Sequence, residues 1–323
     1  MTLDVEQAAA ALRRGGLVAF PTETVYGLGA DAENSEAVAR LFAAKGRPAN
    51  HPVIVHIGRA ELLERWAADI PPSAWRLAQR FWPGPLTLIL KRAACVPDAV
   101  TGGQDTVGLR MPDHPVALAL LAAFGGGIAA PSANRFGRLS PTTAAHVRAE
   151  LGASVNYVLD GGPCRVGIES TILDLSGGYP RLLRPGTITA AEIEAVLGEP
   201  LAAASDDAPR SPGALPAHYA PRTPLALIAP DDLPAEIKRC LDNGERVAVL
   251  ARSAATPHVQ CAWQVMPTDP GSYAHELYAR WRALDALHVD RLLGEALPHE
   301  AAWRAVCDRL ARAAQAGLDT QES

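Results

Sequence analysis

Gly15-Gly-Leu-Val-Ala-Phe20-Pro-Thr-Glu-Thr-Val-Tyr-Gly-Leu-Gly-Ala30 sets a short apolar run, Leu17 to Phe20, against a loop of polar and aromatic side chains. Four apolar residues bounded by glycine and proline read as a buried strand, and the glycines beyond it allow close backbone approach. In open α/β sheets a loop leaving a strand end is a common ligand position. The plainer reading, a tight loop that caps the next helix, explains the same residues taken alone. Before this run, residues 4–14 carry an alanine-rich helical pattern that stops at Gly15-Gly16. After it the pattern predicts helices near 35–45, 60–66, 73–81, 115–124, 142–151 and 189–197. Strands are predicted near 53–57, 86–90, 107–110, 128–130, 157–160, 171–175 and 181–184. These strands outnumber what a simple strand-helix-strand wind needs, so about 200 residues read as a mixed, twisted α/β sheet.

Leu201-Ala-Ala-Ala-Ser-Asp-Asp-Ala-Pro-Arg210 and Ser211-Pro-Gly-Ala-Leu-Pro216 form a small-residue, polar linker. Beyond it, strands near 225–228, 247–251, 264–266 and 290–293 alternate with helices near 231–242, 272–286 and 300–315, the pattern of a smaller Rossmann-like α/β domain. No G-x-G-x-x-G follows its first strand, so no dinucleotide site is assigned there. The expected division is 1–202, a linker over 203–222, and 223–323.

At 323 residues, 48% hydrophobic and 20% charged, the chain is too apolar for disorder and too long for one ordinary domain. A net charge of −5 argues against a protein that coats nucleic acid, although a local basic groove stays open. Its five cysteines are scattered with no C-x-x-C pair, which fits a reducing cytoplasm better than a disulfide framework or a metal site. The first residues lack a basic segment followed by an apolar run, so no secretory signal is expected. The uncharged stretch Pro115 to Asn134 has the length of a membrane span, but Gly125-Gly-Gly127 and Pro131 break it into helix, turn and strand.

Four further runs carry polar chemistry. Lys45-Gly-Arg-Pro-Ala-Asn-His-Pro52 puts a point charge and a guanidinium fork, both suited to phosphate, before the strand that holds His56. A helix terminus explains Lys45 and Gly46 but not Arg47. Val107-Gly-Leu-Arg-Met-Pro112 ends a buried strand on Arg110, which needs a carboxylate or phosphate partner from the protein or from a ligand. Ala129-Ala-Pro-Ser132-Ala-Asn134 leads through Ser140 to a helix near Thr142, a setting suited to an anion or to an ordinary cap. Gly161 to Thr171, and Leu182-Leu-Arg184-Pro-Gly186, are the last two runs; Cys164 in the first has no sequence-local His and is set aside as a nucleophile. Walker, kinase, zincin and hydrolase signatures are absent.

Taken together and in this order, these segments closely resemble the YrdC-like threonylcarbamoyl-AMP synthase family, from Gly15 to about Leu197. The family's Lys-x-Arg and Ser-x-Asn signatures stand here as Lys45-Gly-Arg47 and Ser132-Ala-Asn134. Ser211-Pro-Gly213 and His218-Tyr-Ala-Pro221 resemble the linker of its long form. The resemblance implies a YrdC-like sheet and synthesis of L-threonylcarbamoyladenylate and pyrophosphate from L-threonine, bicarbonate and ATP, for threonylcarbamoyladenosine in tRNA. It implies catalytic roles for Lys45, Arg47, Ser132 and Asn134. It implies a threonine pocket of Thr24, His56, Arg110, the Ala130 backbone and Ser170, and an ATP side of Arg47, His51, Thr106, Ser132, Ser140, Arg184 and Tyr219. Mg2+ is expected mainly on ATP phosphates, since the sequence shows no carboxylate cage. Partners implied are downstream tRNA threonylcarbamoyl-transferase proteins and a weak RNA contact, with no membrane. Ser211 to Pro221 is expected to fold as a lid that places Tyr219 on the nucleotide. His51 stands where many members of the family carry Asn, so ATP affinity is expected to depend on pH here. Two other readings stay open at this point: a non-catalytic double-stranded-RNA-binding module, and a paralogue that kept the fold without the reaction.

Overall fold

A computed structural model describes all residues except 1, 204–207, 214, 216, 255–260 and 320–323. The chain divides into two compact units, Met1–Phe136 with Pro141–Ala214, and Gly137–Ser140 with Leu215–Ser323.

In the first unit α1 (Thr2–Arg13), β1 (Val18–Phe20), β2 (Gly27–Asp31), α2 (Ser35–Lys45) and β3 (Ile54–His56) are followed by α3 (Leu63–Trp66), α4 (Pro72–Phe81), β4 (Leu86–Lys91), α5 (Asp98–Thr101) and β5 (Thr106–Arg110). Then come α6 (Pro115–Phe124), β6 (Ile128–Ala129), α7 (Ala144–Leu151), β7 (Tyr157–Val158), β8 (Thr171–Asp174), β9 (Arg181–Arg184) and α8 (Ala190–Leu197). The strands form one nine-stranded mixed sheet in the order β7-β1-β2-β6-β3-β5-β4-β8-β9. The mixed sheet expected from strand number is therefore present. One strand differs from the sequence reading: Gly27–Asp31, read as glycine-rich loop, is β2, antiparallel to both β1 and β6. Its glycines are steric requirements, because a Cβ at Gly29 would lie 2.8 Å from Ile128 Cγ2 and 2.9 Å from Phe20 Cε1. The one-turn helix α5 was likewise not expected; four residues are too few for a helical period to register.

Side-chain alternation divides the sheet faces. Val55, Leu88, Leu90, Val107, Leu109 and Leu173 point into the main core with α2, α4 and α8. On the opposite face, Val18, Phe20, Ile128 and Ala130 pack with α1 and α6 at the β7 end. Farther across that same face Ile54, Ile89 and Ile172 form a small apolar cluster.

The second unit is a four-stranded parallel sheet, in the order β10-β13-β11-β12, built from β10 (Leu225–Ile228), α9 (Leu233–Asp242), β11 (Val247–Ala251), β12 (Ala262–Val265), α10 (Pro270–Asp285), β13 (Arg291–Glu295) and α11 (Arg304–Asp319). Within it Ala220 N–H donates to the Gly137 carbonyl at 2.8 Å and Arg138 to the Pro221 carbonyl at 3.0 Å. No helix among the described residues is long and apolar enough to cross a membrane.

Candidate active site

The face that bears Ile54, Ile89 and Ile172 also bears the polar residues. Alternation along β5 puts Thr106, Gly108 and Arg110 on it, opposite the core residues Val107 and Leu109. In the parallel β3–β5 pair His56 sits directly opposite Arg110, and the chain run before β8 brings Ser170 beside Thr87 of β4, their hydroxyls 2.7 Å apart. Arg184 ends β9 and donates to the Ser170 carbonyl at 3.0 Å, to the Ser170 hydroxyl at 3.1 Å and to the Pro212 carbonyl at 2.9 Å. His56, Arg110, Ser170 and Arg184 thus converge at one end of the sheet face, and Thr106 marks the other.

Arg110 is only 4% exposed. Its Nε donates to the Gly84 carbonyl at 3.3 Å, and its Nη2 lies 2.7 Å from the carboxylate of Glu23, itself 1% exposed. Burial, followed by the neighbouring Arg110 charge, pushes the His56 pKa down to about 3, so its imidazole is neutral. The loop after β1 is folded by its own hydroxyls: Thr22 donates to the Val25 carbonyl at 2.6 Å and lies 2.8 Å from the Thr24 hydroxyl. The Gly161 to Thr171 run braces that loop, with Val166 N–H on the Glu23 carbonyl and Gly167 N–H on the Thr24 carbonyl. Cys164, in that run, is buried and its thiol is raised to about 12 by burial, which makes it inert.

The cationic loop leaves α2 through Gly46, whose φ of 63° is the left-handed conformation that suits glycine. That turn sends Arg47 back across the helix end, where its guanidinium lies 5.9 Å from the Phe42 ring and 5.6 Å from Phe136 and donates to the Pro52 carbonyl at 2.8 Å. Lys45, 2% exposed, donates to the Ser132 carbonyl at 2.5 Å and to the Asn134 carbonyl. Burial first, and then Arg47, holds its pKa well below 10.5. The Lys-x-Arg signature is therefore wired into the Ser-x-Asn turn, and Phe136 N–H returns a bond to the Lys45 carbonyl at 2.8 Å. His51 packs edge-on to Phe136 with ring centroids 5.4 Å apart, and burial, Arg47 and Arg210 lower its pKa. Ala130 donates its N–H to the Ile54 carbonyl at 2.9 Å.

Twelve of the fourteen expected residues lie in the first unit. Ser140 and Tyr219 belong to the second, where Tyr219 is 1% exposed with its ring 5.2 Å from the Arg309 guanidinium and 6.1 Å from Tyr278. Glu23 and Phe136 escaped the sequence reading: a lone Glu in a Thr-rich loop reads as a cap, and a lone Phe as core.

Residues 10–186 match the Sua5_yciO_yrdC family model, described as "Telomere recombination", and residues 188–315 match the "Threonylcarbamoyl-AMP synthase, C-terminal domain". The chain belongs to the YrdC-like family, in its long form. It is 42% identical to the threonylcarbamoyl-AMP synthase of Bacillus subtilis over 96% of this chain and 92% of that protein. It is 41% identical to the Pyrococcus abyssi protein of the same name, over 95% and 92%. A crystal structure of P. abyssi Sua5 complexed with L-threonine superposes with a TM-score of 0.92 at 39% identity, over 98% of this chain and 96% of that one. The YrdC-like chain thus shares both of its segments with these relatives.

Proposed function

We propose that the chain is an L-threonylcarbamoyladenylate synthase, a nucleotidyltransferase that joins L-threonine, bicarbonate and ATP into threonylcarbamoyl-AMP and pyrophosphate, with water as the third product. The observation that carries this reading is the placement of Arg110, His56 and Ser170 at one end of a sheet face whose other end holds Thr106, with the Lys45–Arg47 and Ser132–Asn134 wiring on an adjoining turn.

In this reading the Arg110 fork holds the threonine carboxylate, and neutral His56, Thr24 and Ser170 supply hydrogen-bond partners for the rest of the amino acid. Arg47 and Arg184 meet the triphosphate as cations, with His51, Thr106 and Ser132 completing the nucleotide side offered by the first unit. Lys45 acts mainly by holding the Ser132 and Asn134 backbone in place. The carbamate of N-carboxythreonine attacks the α-phosphorus as pyrophosphate leaves, so orientation and charge stabilisation supply most of the acceleration. Among the described residues no group of three or more His, Cys, Asp or Glu side chains could cage a cation. In this reading Mg2+ arrives with ATP, where it would neutralise phosphate charge. The product serves tRNA-modifying threonylcarbamoyl-transferase proteins in the cytoplasm, and a weak RNA contact is part of the proposal.

Pyrophosphate release from ATP, measured with and without L-threonine and bicarbonate, tests the reading. Release should require both co-substrates and be lost in Arg110→Ala and Lys45→Ala. Release independent of threonine, with RNA binding retained, would move the chain to the RNA-binding reading.

A further inference from the structure

A buried carboxylate ordinarily fills its acceptor positions, and Glu23 does not. It has room for about four hydrogen bonds, yet among the described residues neither oxygen has a partner beyond the Arg110 guanidinium 2.7 Å away. At 1% exposure, water offers little compensation. The surrounding titratable groups do not supply it. Cys164 and His114 lie within electrostatic reach of Glu23, and burial raises the Cys164 thiol and lowers His114, so both are neutral near pH 7. His56, across from Arg110, is neutral too. The remaining buried cation at this end, Arg184, is turned to the Ser170 and Pro212 carbonyls.

We propose that Glu23 is the receptor for the α-ammonium of the amino-acid substrate, so that threonine enters as a zwitterion laid across the Glu23–Arg110 pair. An α-amino acid carries its two opposite charges on one carbon, a spacing that matches an ion pair of 2.7 Å. Its carboxylate meets the guanidinium and its ammonium meets the under-used carboxylate. A zwitterion adds no net charge to this buried place, whereas a simple hydroxy-acid anion adds one and offers Glu23 only a neutral hydroxyl donor in place of a charged ammonium. Glu23 therefore selects amino acids over isosteric 2-hydroxy acids. This rests on the synthase reading, in which Arg110 takes the carboxylate.

The test is calorimetric titration of the full chain with L-threonine and with 2,3-dihydroxybutanoate, the isostere that replaces ammonium by hydroxyl. Wild type should prefer threonine by at least about tenfold. In Glu23→Gln that preference should shrink by about tenfold or reverse, since a neutral amide beside Arg110 leaves the site net positive, while ATP affinity stays within about twofold. An unchanged ratio in a folded Glu23→Gln overturns the proposal. Should that variant not fold, Glu23→Asp draws the carboxylate back by one methylene and must weaken threonine more than the isostere; equal losses overturn the proposal as well. Wild type that neither binds threonine nor releases pyrophosphate in its presence overturns the synthase reading itself. Wild type that does both, with an unchanged Glu23→Gln ratio, removes only the Glu23 assignment.

Discussion

Lys45 shows how a residue's type and its task separate. From sequence it reads as a phosphate cation; in the folded chain its side chain donates to two carbonyls, the part-buried one of Ser132 and the buried one of Asn134. Lys45→Ala removes both donors, and each orphaned acceptor costs about 1–3 kcal/mol, so chemical denaturation should show a loss of about 2 kcal/mol or more alongside lost synthesis. His56 gives a pH signature. Its folded pKa of about 3 lies below the ordinary 6.5, so the unfolded chain binds the extra proton between those values. The stability tied to neutral His56 is full above pH 6.5 and falls as the pH drops toward 3. Denaturation curves from pH 7.5 to 4 should therefore decline less steeply for His56→Asn than for wild type. Burial, and then Arg47 and Arg210, lower the His51 pKa, so its effect on ATP affinity should be largest on the acid side of neutrality and close to flat from pH 7 to 8. A change in affinity between pH 7 and 8 that His51→Asn abolishes would contradict that.

Elements were legible wherever apolar periodicity ran uninterrupted: α2, β3, β4, β5 and α8 lie where the sequence places them, within a residue or two at the ends. β2 was not, because Gly27 and Gly29 mimic loop punctuation while pairing on both sides makes them strand. Close approach between elements was equally hidden. Gly186 follows β9 so near the start of β8 that a Cβ would lie 2.4 Å from the Thr171 nitrogen and 2.8 Å from the Ser170 carbonyl carbon. Those contacts are backbone and cannot swing aside. Gly186→Ala should cost about 1–3 kcal/mol in thermal or denaturant unfolding. It should also raise the KM for threonine, since the Arg184 bonds to Ser170 depend on that approach; an unchanged KM would detach β9 from the amino-acid end.

Across the molecule, the last part of the first unit is tied down by the site it adjoins. Arg210 N–H donates to the Gln104 side chain at 2.7 Å, Gln104 returns a bond to the Arg210 carbonyl at 3.1 Å, and Arg184 takes the Pro212 carbonyl. A chain ending before Ser211 loses the Arg184 partner together with residues 215–323 and should bind ATP at least about tenfold more weakly. Unchanged ATP affinity and turnover would remove the expectation that Ser211 to Pro221 folds as a lid. The sequence by itself determined most of the elements, the mixed sheet and the ordered motifs of the family, because these follow from local period and spacing along the chain. Only the tertiary structure decided that Glu23 meets Arg110, that Lys45 serves carbonyls, and that His56 is neutral. Each depends on burial and on partners dozens of residues away, and side-chain charge and hydrogen bonding respond to what surrounds a group in space.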